Sequence, residues 1–100
     1  MIDEGETPLQ AAARELQEET GYSGEIKFIG SFIDGKYSVI TRHCFVAFNC
    51  KKVSEQELDD DEFIQVVKKP LLGFLKDLKT GMYTSVAVSY FILHNLELLK

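Results

Sequence analysis

ETPLQAAARELQEETGY, residues 6–22, is the stretch from which the fold of this chain is best predicted. It has the pattern of one helix with defined ends. Thr7 can act as the N-cap, Pro8 as the first helical residue, and Gln10 as the third position of a capping box. Gly21 can adopt the left-handed conformation that ends a helix. We therefore predict a helix that begins at Pro8 and stops before Gly21.

The two faces of this helix differ in composition. The side expected to face a core carries Leu9, Ala12, Ala13, Leu16 and Thr20. Glu15, Glu18 and Glu19 lie on roughly the opposite side, beside the small Ala11, and like charges at this spacing repel by about 0.2–0.5 kcal/mol per pair. A divalent cation such as Mg²⁺ or Mn²⁺ would relieve that repulsion, because hard ions prefer carboxylate oxygens. The alternative is a solvated acidic face with loose surface pairs to Arg14.

The spacing of these residues resembles the Nudix box, G-x5-E-x7-R-E-U-x-E-E-x-G-U, in which U is a bulky apolar residue. The matching positions are Glu6, Arg14, Glu15, Leu16, Glu18, Glu19, Gly21 and Tyr22. With each fixed residue at ordinary abundance, a chance match arises about once in a million windows. Tyr22 replaces the usual aliphatic residue, and the leading glycine would precede Met1. We therefore expect residues 1–100 to form a single, partial Nudix domain without its N-terminal strands.

Composition and charge limit the classes of function. The chain has 100 residues, of which 45% are hydrophobic and 27% charged, enough for one domain with a modest core. A net charge of −5 argues against binding to nucleic acid or to an anionic membrane. No apolar leader or membrane-spanning segment is evident in the sequence. Cys44 and Cys50 fall in one apolar strand pattern, and we predict buried free thiols in a reducing, cytoplasmic compartment rather than a disulfide.

The rest of the chain predicts an α+β arrangement with helices on the faces of a sheet. A sheet covered on both sides is expected, because both faces of the second strand are apolar near its end. The predicted elements are a strand at 25–33, a two-residue hairpin turn at Asp34-Gly35, a return strand at about 36–50, an acidic loop at 51–61, a short strand at 62–67, a helix that begins near Leu71 and closes at Gly81, and a last helix at about 84–99.

The resemblance implies a fold and an activity. Nudix domains are α/β/α sandwiches built on a mixed sheet. The acidic loop and the following DEFIQVVKKPLLGFLKDLKTG resemble the branch that contains the ADP-ribose and ADP-sugar pyrophosphatases. The implied reaction is divalent-metal-dependent hydrolysis of the pyrophosphate bond in a nucleoside diphosphate linked to another group. The implied cofactor is Mg²⁺ or Mn²⁺, and the implied partner is that small nucleotide substrate.

The resemblance also assigns roles within the box. Glu15 and Glu19 would be the main metal ligands, and Glu18 would be a third ligand or a water-mediated catalytic partner. Arg14 would pair with Glu6 in a structural role, as Gly21 has a structural role at the helix end.

A general base or accessory metal ligand is expected in the acidic loop. Glu62 is the candidate by analogy with the branch, whereas Asp60 and Asp61 are alternatives in the same acidic run. A base must reach the attacking water within hydrogen-bond distance, directly or through one further water.

Two other functions remain open at this point. One is a Nudix-derived nucleotide-binding or regulatory module that keeps the fold without turnover. The other is a helical interaction module that uses the apolar C-terminal helix, with the acidic helix as a solvated face. Missing strands would leave an unprotected sheet edge, so a homodimer is expected as well.

Overall fold

The computed structural model describes residues 2–81, 83 and 86–98. The elements in chain order are α1 (Pro8–Thr20), β1 (Tyr22–Asp34), β2 (Ile40–Lys52), α2 (Leu71–Leu78) and α3 (Val86–Asn95). They fall into two compact units, Met1–Val66 and Val67–Lys100. The predicted α+β class is confirmed, whereas the single domain over 1–100 stays a prediction. In the described ranges, no helix is both long and apolar enough to cross a bilayer.

Both ends of α1 form as the local sequence predicts. The hydroxyl of Thr7 accepts the Gln10 N–H at 3.1 Å, and the Gln10 side-chain oxygen accepts the Thr7 N–H at 2.9 Å. Pro8 is the first helical residue. Gly21 has a φ of 78° and donates its N–H to the Gln17 carbonyl at 2.8 Å. These capping bonds satisfy backbone groups that a helix end leaves without intrahelical partners.

The buried face of α1 was only partly predicted. Ala12, Leu16 and Thr20 are half-buried, whereas Leu9 is 45% exposed and Ala13 is exposed. The buried residue is Ala11, at 4% exposure, which was placed on the acidic side. Because long helical side chains lean toward the N-terminus, the wheel position of a small residue such as Ala11 does not by itself determine its exposure.

β1 and β2 form a two-stranded antiparallel sheet. Pairing extends from Tyr22 opposite Lys52 to Asp34 opposite Ile40, with irregularities at Ser23/Glu25 and Phe28/Gly30. Five residues, 35–39, connect the strands, so the predicted two-residue Asp34-Gly35 turn is wrong. The Asp34 carboxylate accepts the Gly35 N–H at 2.8 Å. Such local side-chain bonds compete with the sheet ladder, and pairing resumes only at Ile40.

The described residues do not cover both sides of this sheet, contrary to expectation. Cys44 is 2% exposed, but Phe28 is 56% and Ile33 72% exposed. A two-stranded sheet with one helix packed on it has too few neighbours to bury both faces. Both cysteines are free, as predicted, although Cys50 is exposed rather than buried.

The short strand predicted at 62–67 does not form, and this segment has no regular secondary structure. The Ile64 carbonyl accepts a hydrogen bond from the Gln56 side chain at 2.9 Å instead of from a neighbouring strand. The apolar composition of this segment was therefore a misleading signal, since a strand needs a pairing partner as well as suitable residues.

The second unit contains two short helices. α2 follows Pro70 and buries Leu78, and α3 buries Leu93. Tyr83 stacks on Phe74 with ring centroids 5.5 Å apart. α2 ends before the predicted closing residue Gly81, which has a φ of 71°. α3 is shorter than the predicted helix at about 84–99, of which residues 84, 85 and 99 lie outside the described part of the chain.

Candidate functional site

Arg14 is the centre of an ion-pair network on the acidic side of α1. Its Nε donates to Glu6 Oε2 at 2.9 Å and its Nη2 donates to Glu6 Oε1 at 3.2 Å, which confirms the predicted pair. Its Nη1 donates to Glu18 Oε2 at 3.1 Å. Asp3 and Glu15 lie 3.4 and 3.7 Å from the guanidinium. One cation therefore contacts four carboxylates from the helix and from the segment before it.

The contact between Glu6 and Arg14 shifts the titration of both groups. The hydrogen bond from Arg14, followed by that from the Asp3 N–H, lowers the pKa of Glu6 below its ordinary value. The same hydrogen bond to Glu6 raises the pKa of Arg14. Each shift favours the charged form, so the pair stays ionised across the physiological range. The ion pair between Glu6 and Arg14 holds residues 3–6 against the middle of α1.

Residues 53–62, which we call the acidic loop segment, are attached to the C-terminal end of α1. The Gly21 carbonyl accepts the Val53 N–H at 2.8 Å and the Ser54 N–H at 3.2 Å. The Glu18 carbonyl accepts the Glu57 N–H at 2.7 Å. These donors satisfy carbonyl groups that have no partner inside the helix. The C-terminal end of α1 and the acidic loop segment are therefore directly connected.

Gly21 is required at this connection for two separate reasons. Its φ of 78° lies in the left-handed region, where a side chain is strained. A Cβ at this position would also collide with the carbonyl oxygen of Ser54. The glycine of the box thus permits the close approach of the acidic loop segment.

Glu62 differs from its acidic neighbours in how the fold holds it. Its N–H donates to the Asp59 carbonyl at 2.9 Å, and its Oε1 accepts the Asp59 N–H at 2.9 Å. Glu62 is half-buried, whereas Asp60 and Asp61 are exposed. Of the candidates for a base in this run, Glu62 has the more restricted side chain, although its catalytic role stays a prediction.

Glu19 experiences the combined charge of the predicted site. Partial burial raises the pKa of Glu19, and the negative charges of Glu15, Glu62 and Glu18 raise it further. The shift means that the ionised form of Glu19 is less favoured in the folded chain than in an isolated glutamate. Negative charge from the helix and from the acidic loop segment therefore acts on one carboxylate.

Glu18 and Glu19 line different clefts. Glu18 lines a cleft of about 310 Å³ with Arg14, Gln17 and Glu57. Glu19 lines a second cleft of about 230 Å³ between α1 and the sheet, whose other lining residues are Ala12, Leu16, Ile26, Phe45, Val46 and Ala47. Glu18 and Glu19 therefore belong to the linings of two separate clefts in the described part of the chain.

The donor chemistry at Glu19 suits a hard divalent cation. Carboxylate oxygens are the ligands that Mg²⁺ and Mn²⁺ prefer, and the neighbouring charges of Glu15 and Glu62 are ones that a cation would neutralise. Within residues 2–81, 83 and 86–98, however, no group of three or more His, Cys, Asp or Glu side chains is arranged to hold a metal. The assignment of Glu15, Glu18 and Glu19 as ligands stays a prediction.

Comparison with protein families matches residues 1–84 to the NUDIX domain. The chain belongs to the Nudix family. The ADP-ribose pyrophosphatase of Bacillus subtilis (strain 168) is 31% identical over 94 residues, which cover 91% of this chain and 51% of that protein. The methanol dehydrogenase activator of Bacillus methanolicus is 33% identical over 96 residues, 89% of this chain and 52% of the activator. The chain thus spans about half the length of these two relatives.

The Nudix match includes α1, both strands, the acidic loop segment and α2, and it ends before α3.

Two residues in the network around the box were not predicted from the sequence. Asp3 has a weak signal, since it precedes Glu6 by the three-residue spacing of a local turn. Gln56 has none, because its bonds join segments that are distant in the sequence.

Proposed function

We propose that this Nudix chain belongs to a hydrolase that uses Mg²⁺ or Mn²⁺ to cleave the pyrophosphate bond of a nucleoside diphosphate linked to another group. ADP-ribose or an ADP-sugar is the proposed substrate class. The main support is the attachment of the acidic loop segment to the end of α1, which brings the charge of Glu62 to bear on Glu19. The similarity to an ADP-ribose pyrophosphatase supports the choice of substrate.

In this proposal Glu15 and Glu19 hold the metal. Ions bound there would neutralise phosphate charge and acidify a bound water. Glu18 is the water-mediated partner rather than a direct ligand, because Arg14 already donates a hydrogen bond to one of its two carboxylate oxygens. Arg14 orients Glu18 and also holds Glu6, so it acts through these carboxylates.

Glu62 is the proposed general base. A base needs a defined position and a carboxylate that is ionised before it takes the proton. The hydrogen bond from the Asp59 N–H orients one oxygen of Glu62 and leaves a second oxygen able to accept a proton from water. Asp60 and Asp61 are less suited, because both are exposed on the same loop.

The decisive experiment replaces Glu19 by glutamine. Hydrolysis of ADP-ribose, ADP-glucose and other nucleoside diphosphate conjugates is measured with Mg²⁺ and with Mn²⁺. Because a metal ligand is lost, Glu19→Gln should reduce kcat/KM by at least about 100-fold. The matched control is Glu25→Gln, an exposed glutamate on β1. Urea unfolding of both variants shows whether each remains folded.

Full turnover in Glu19→Gln would show that the ligand assignment is wrong. No cleavage of any conjugate by the parent chain, with either metal, would count against the proposed function itself.

A second candidate function is a regulatory or nucleotide-binding module without turnover. The similarity to a methanol dehydrogenase activator favours this candidate. Calorimetry with ADP-ribose in the presence of Mg²⁺ separates the two functions, because a module without turnover would bind the nucleotide and leave it intact.

The proposal also includes a homodimer in the cytoplasm that binds neither nucleic acid nor membrane. Exposed apolar side chains such as Phe28 and Ile33 on the sheet support self-association. The net charge of −5 opposes binding to polyanions. Sedimentation velocity across a range of concentrations tests the dimer.

A further inference from the structure

Gln56 joins two segments that are distant in the sequence. Its side-chain nitrogen Nε2 donates to the Glu19 carbonyl at 2.6 Å and to the Ile64 carbonyl at 2.9 Å. A glutamine amide has two N–H donors, so each donor has one backbone acceptor. The amide oxygen could not replace the nitrogen here, because two carbonyl oxygens would then face a third acceptor.

The two carbonyl groups that accept these hydrogen bonds belong to the two parts of the proposed site. Glu19 is in the last turn of α1, where carbonyl groups lack intrahelical partners, and it is a proposed metal ligand. Ile64 follows the proposed base Glu62 by two residues. One side chain therefore connects the backbone of the metal-ligand helix with the backbone next to the base.

The acidic loop segment is held on both sides of Glu62. Before Glu62, the Glu57 N–H donates to the Glu18 carbonyl at 2.7 Å. After Glu62, the Ile64 carbonyl is bound by Gln56. The Glu62 side chain itself bonds to Asp59 inside the same loop, which shapes the loop but does not attach it to α1. The attachment after Glu62 thus involves Gln56.

We infer that Gln56 is a positioning residue that fixes Glu62 relative to Glu19 by bridging the Glu19 and Ile64 carbonyls. This inference rests on the proposed function for its catalytic consequence. Gln56 touches neither substrate nor metal in this assignment, and it acts through the backbone on each side of the catalytic pair. Its own side chain is exposed, so its removal should disturb position more than global stability.

The test begins with Gln56→Met, which keeps the side-chain length and removes both donors. The matched control is Gln65→Met, the same substitution at an exposed glutamine three residues after Glu62. Because a displacement of about 1 Å in a reacting group can lower a rate by roughly 100-fold, we expect a fall in kcat of about 10- to 100-fold in Gln56→Met. KM, the Mn²⁺ dissociation constant and the kcat of Gln65→Met should not change.

A double-mutant cycle separates positioning from a general structural effect. Once Glu62→Gln has removed the base, adding Gln56→Met should lower kcat no further, since the group that Gln56 positions is already absent. Losses in kcat that simply multiply in the double variant would overturn the inference.

Amide hydrogen exchange provides a readout that needs neither metal nor turnover. Loss of the bridge should accelerate exchange at the Glu57 and Glu62 N–H groups by at least about tenfold, while amides in the middle of α1 keep their rates. Unchanged exchange in Gln56→Met overturns the inference even if the parent chain hydrolyses its substrate. Conversely, accelerated exchange in a chain without hydrolysis supports the bridge and counts against the proposed function alone.

Discussion

Replacing Gly21 by alanine should show how much the collision of the new Cβ adds to the cost of the left-handed backbone at this position. A non-glycine residue in the left-handed region costs roughly 1–2 kcal/mol. The new Cβ would in addition displace Ser54, and the Gly21 carbonyl would lose the bonds from Val53 and Ser54. Each of these hydrogen bonds contributes about 1 kcal/mol net. We therefore expect Gly21→Ala to lower the free energy of unfolding by about 3–4 kcal/mol.

The chain contains a control with nearly the same backbone conformation. Gly5 has a φ of 77°, against 78° for Gly21, but a Cβ at Gly5 would meet no atom within 4 Å. Gly5→Ala should therefore show only the conformational cost of roughly 1–2 kcal/mol. Equilibrium urea unfolding of both variants and the parent, analysed with a common slope, gives the two differences.

The comparison between the two variants decides whether the reasoning holds. A larger loss in Gly21→Ala measures the contact between the acidic loop segment and the end of α1. Equal losses in the two variants would refute that contact, because only the shared left-handed backbone would then matter. The attachment on which the proposed site depends would be refuted with it.

Three further predictions concern the network and the thiols. Glu6→Gln should destabilise the chain most at neutral pH. Because the hydrogen bond from Arg14 lowers the pKa of Glu6, the loss of stability in Glu6→Gln should be complete above the ordinary carboxyl pKa. The loss should vanish as the pH falls through the lowered pKa of Glu6, and urea unfolding from pH 7 to pH 2 measures it. Arg14→Ala should lower the urea midpoint of unfolding, and it should lower the hydrolysis rate by roughly 10- to 100-fold, because Glu6 and Glu18 lose the group that orients them. Steady-state kinetics measures the hydrolysis rate. Cys50 should react with a thiol reagent well before Cys44, because Cys50 is exposed and burial raises the pKa of Cys44; mass spectrometry after timed labelling at pH 8 checks the order.

The parts of the fold that depend on neighbouring residues could be predicted from the sequence. Both ends of α1 follow from Thr7, Gln10 and Gly21, whose capping bonds span at most four residues. The contact between Glu6 and Arg14 followed from the resemblance to the Nudix box. In each case the residues that make the bond lie within eight positions of one another.

The failures involve contacts that apolar periodicity does not record. The segment 62–67 is rich in apolar residues, yet Gln56 binds its Ile64 carbonyl and no strand forms. Ala11 is buried although it lies on the acidic side of the helical wheel. The Gln56 bond to Glu19 spans 37 positions and joins a side chain to a backbone group. Such a bond leaves no periodic signal in the sequence.

The geometry of a helix also explains why Glu18 and Glu19 line different clefts. Residues three and four apart are neighbours on a helix, whereas consecutive residues point about 100° apart. Glu15 therefore neighbours both Glu18 and Glu19, but those two diverge into separate clefts. On the Glu18 side, the Arg14 guanidinium already supplies positive charge. On the Glu19 side, burial raises the pKa of the carboxyl, and the charges of Glu15 and Glu62 raise it further. The acidic loop segment therefore adds to the negative charge around Glu19.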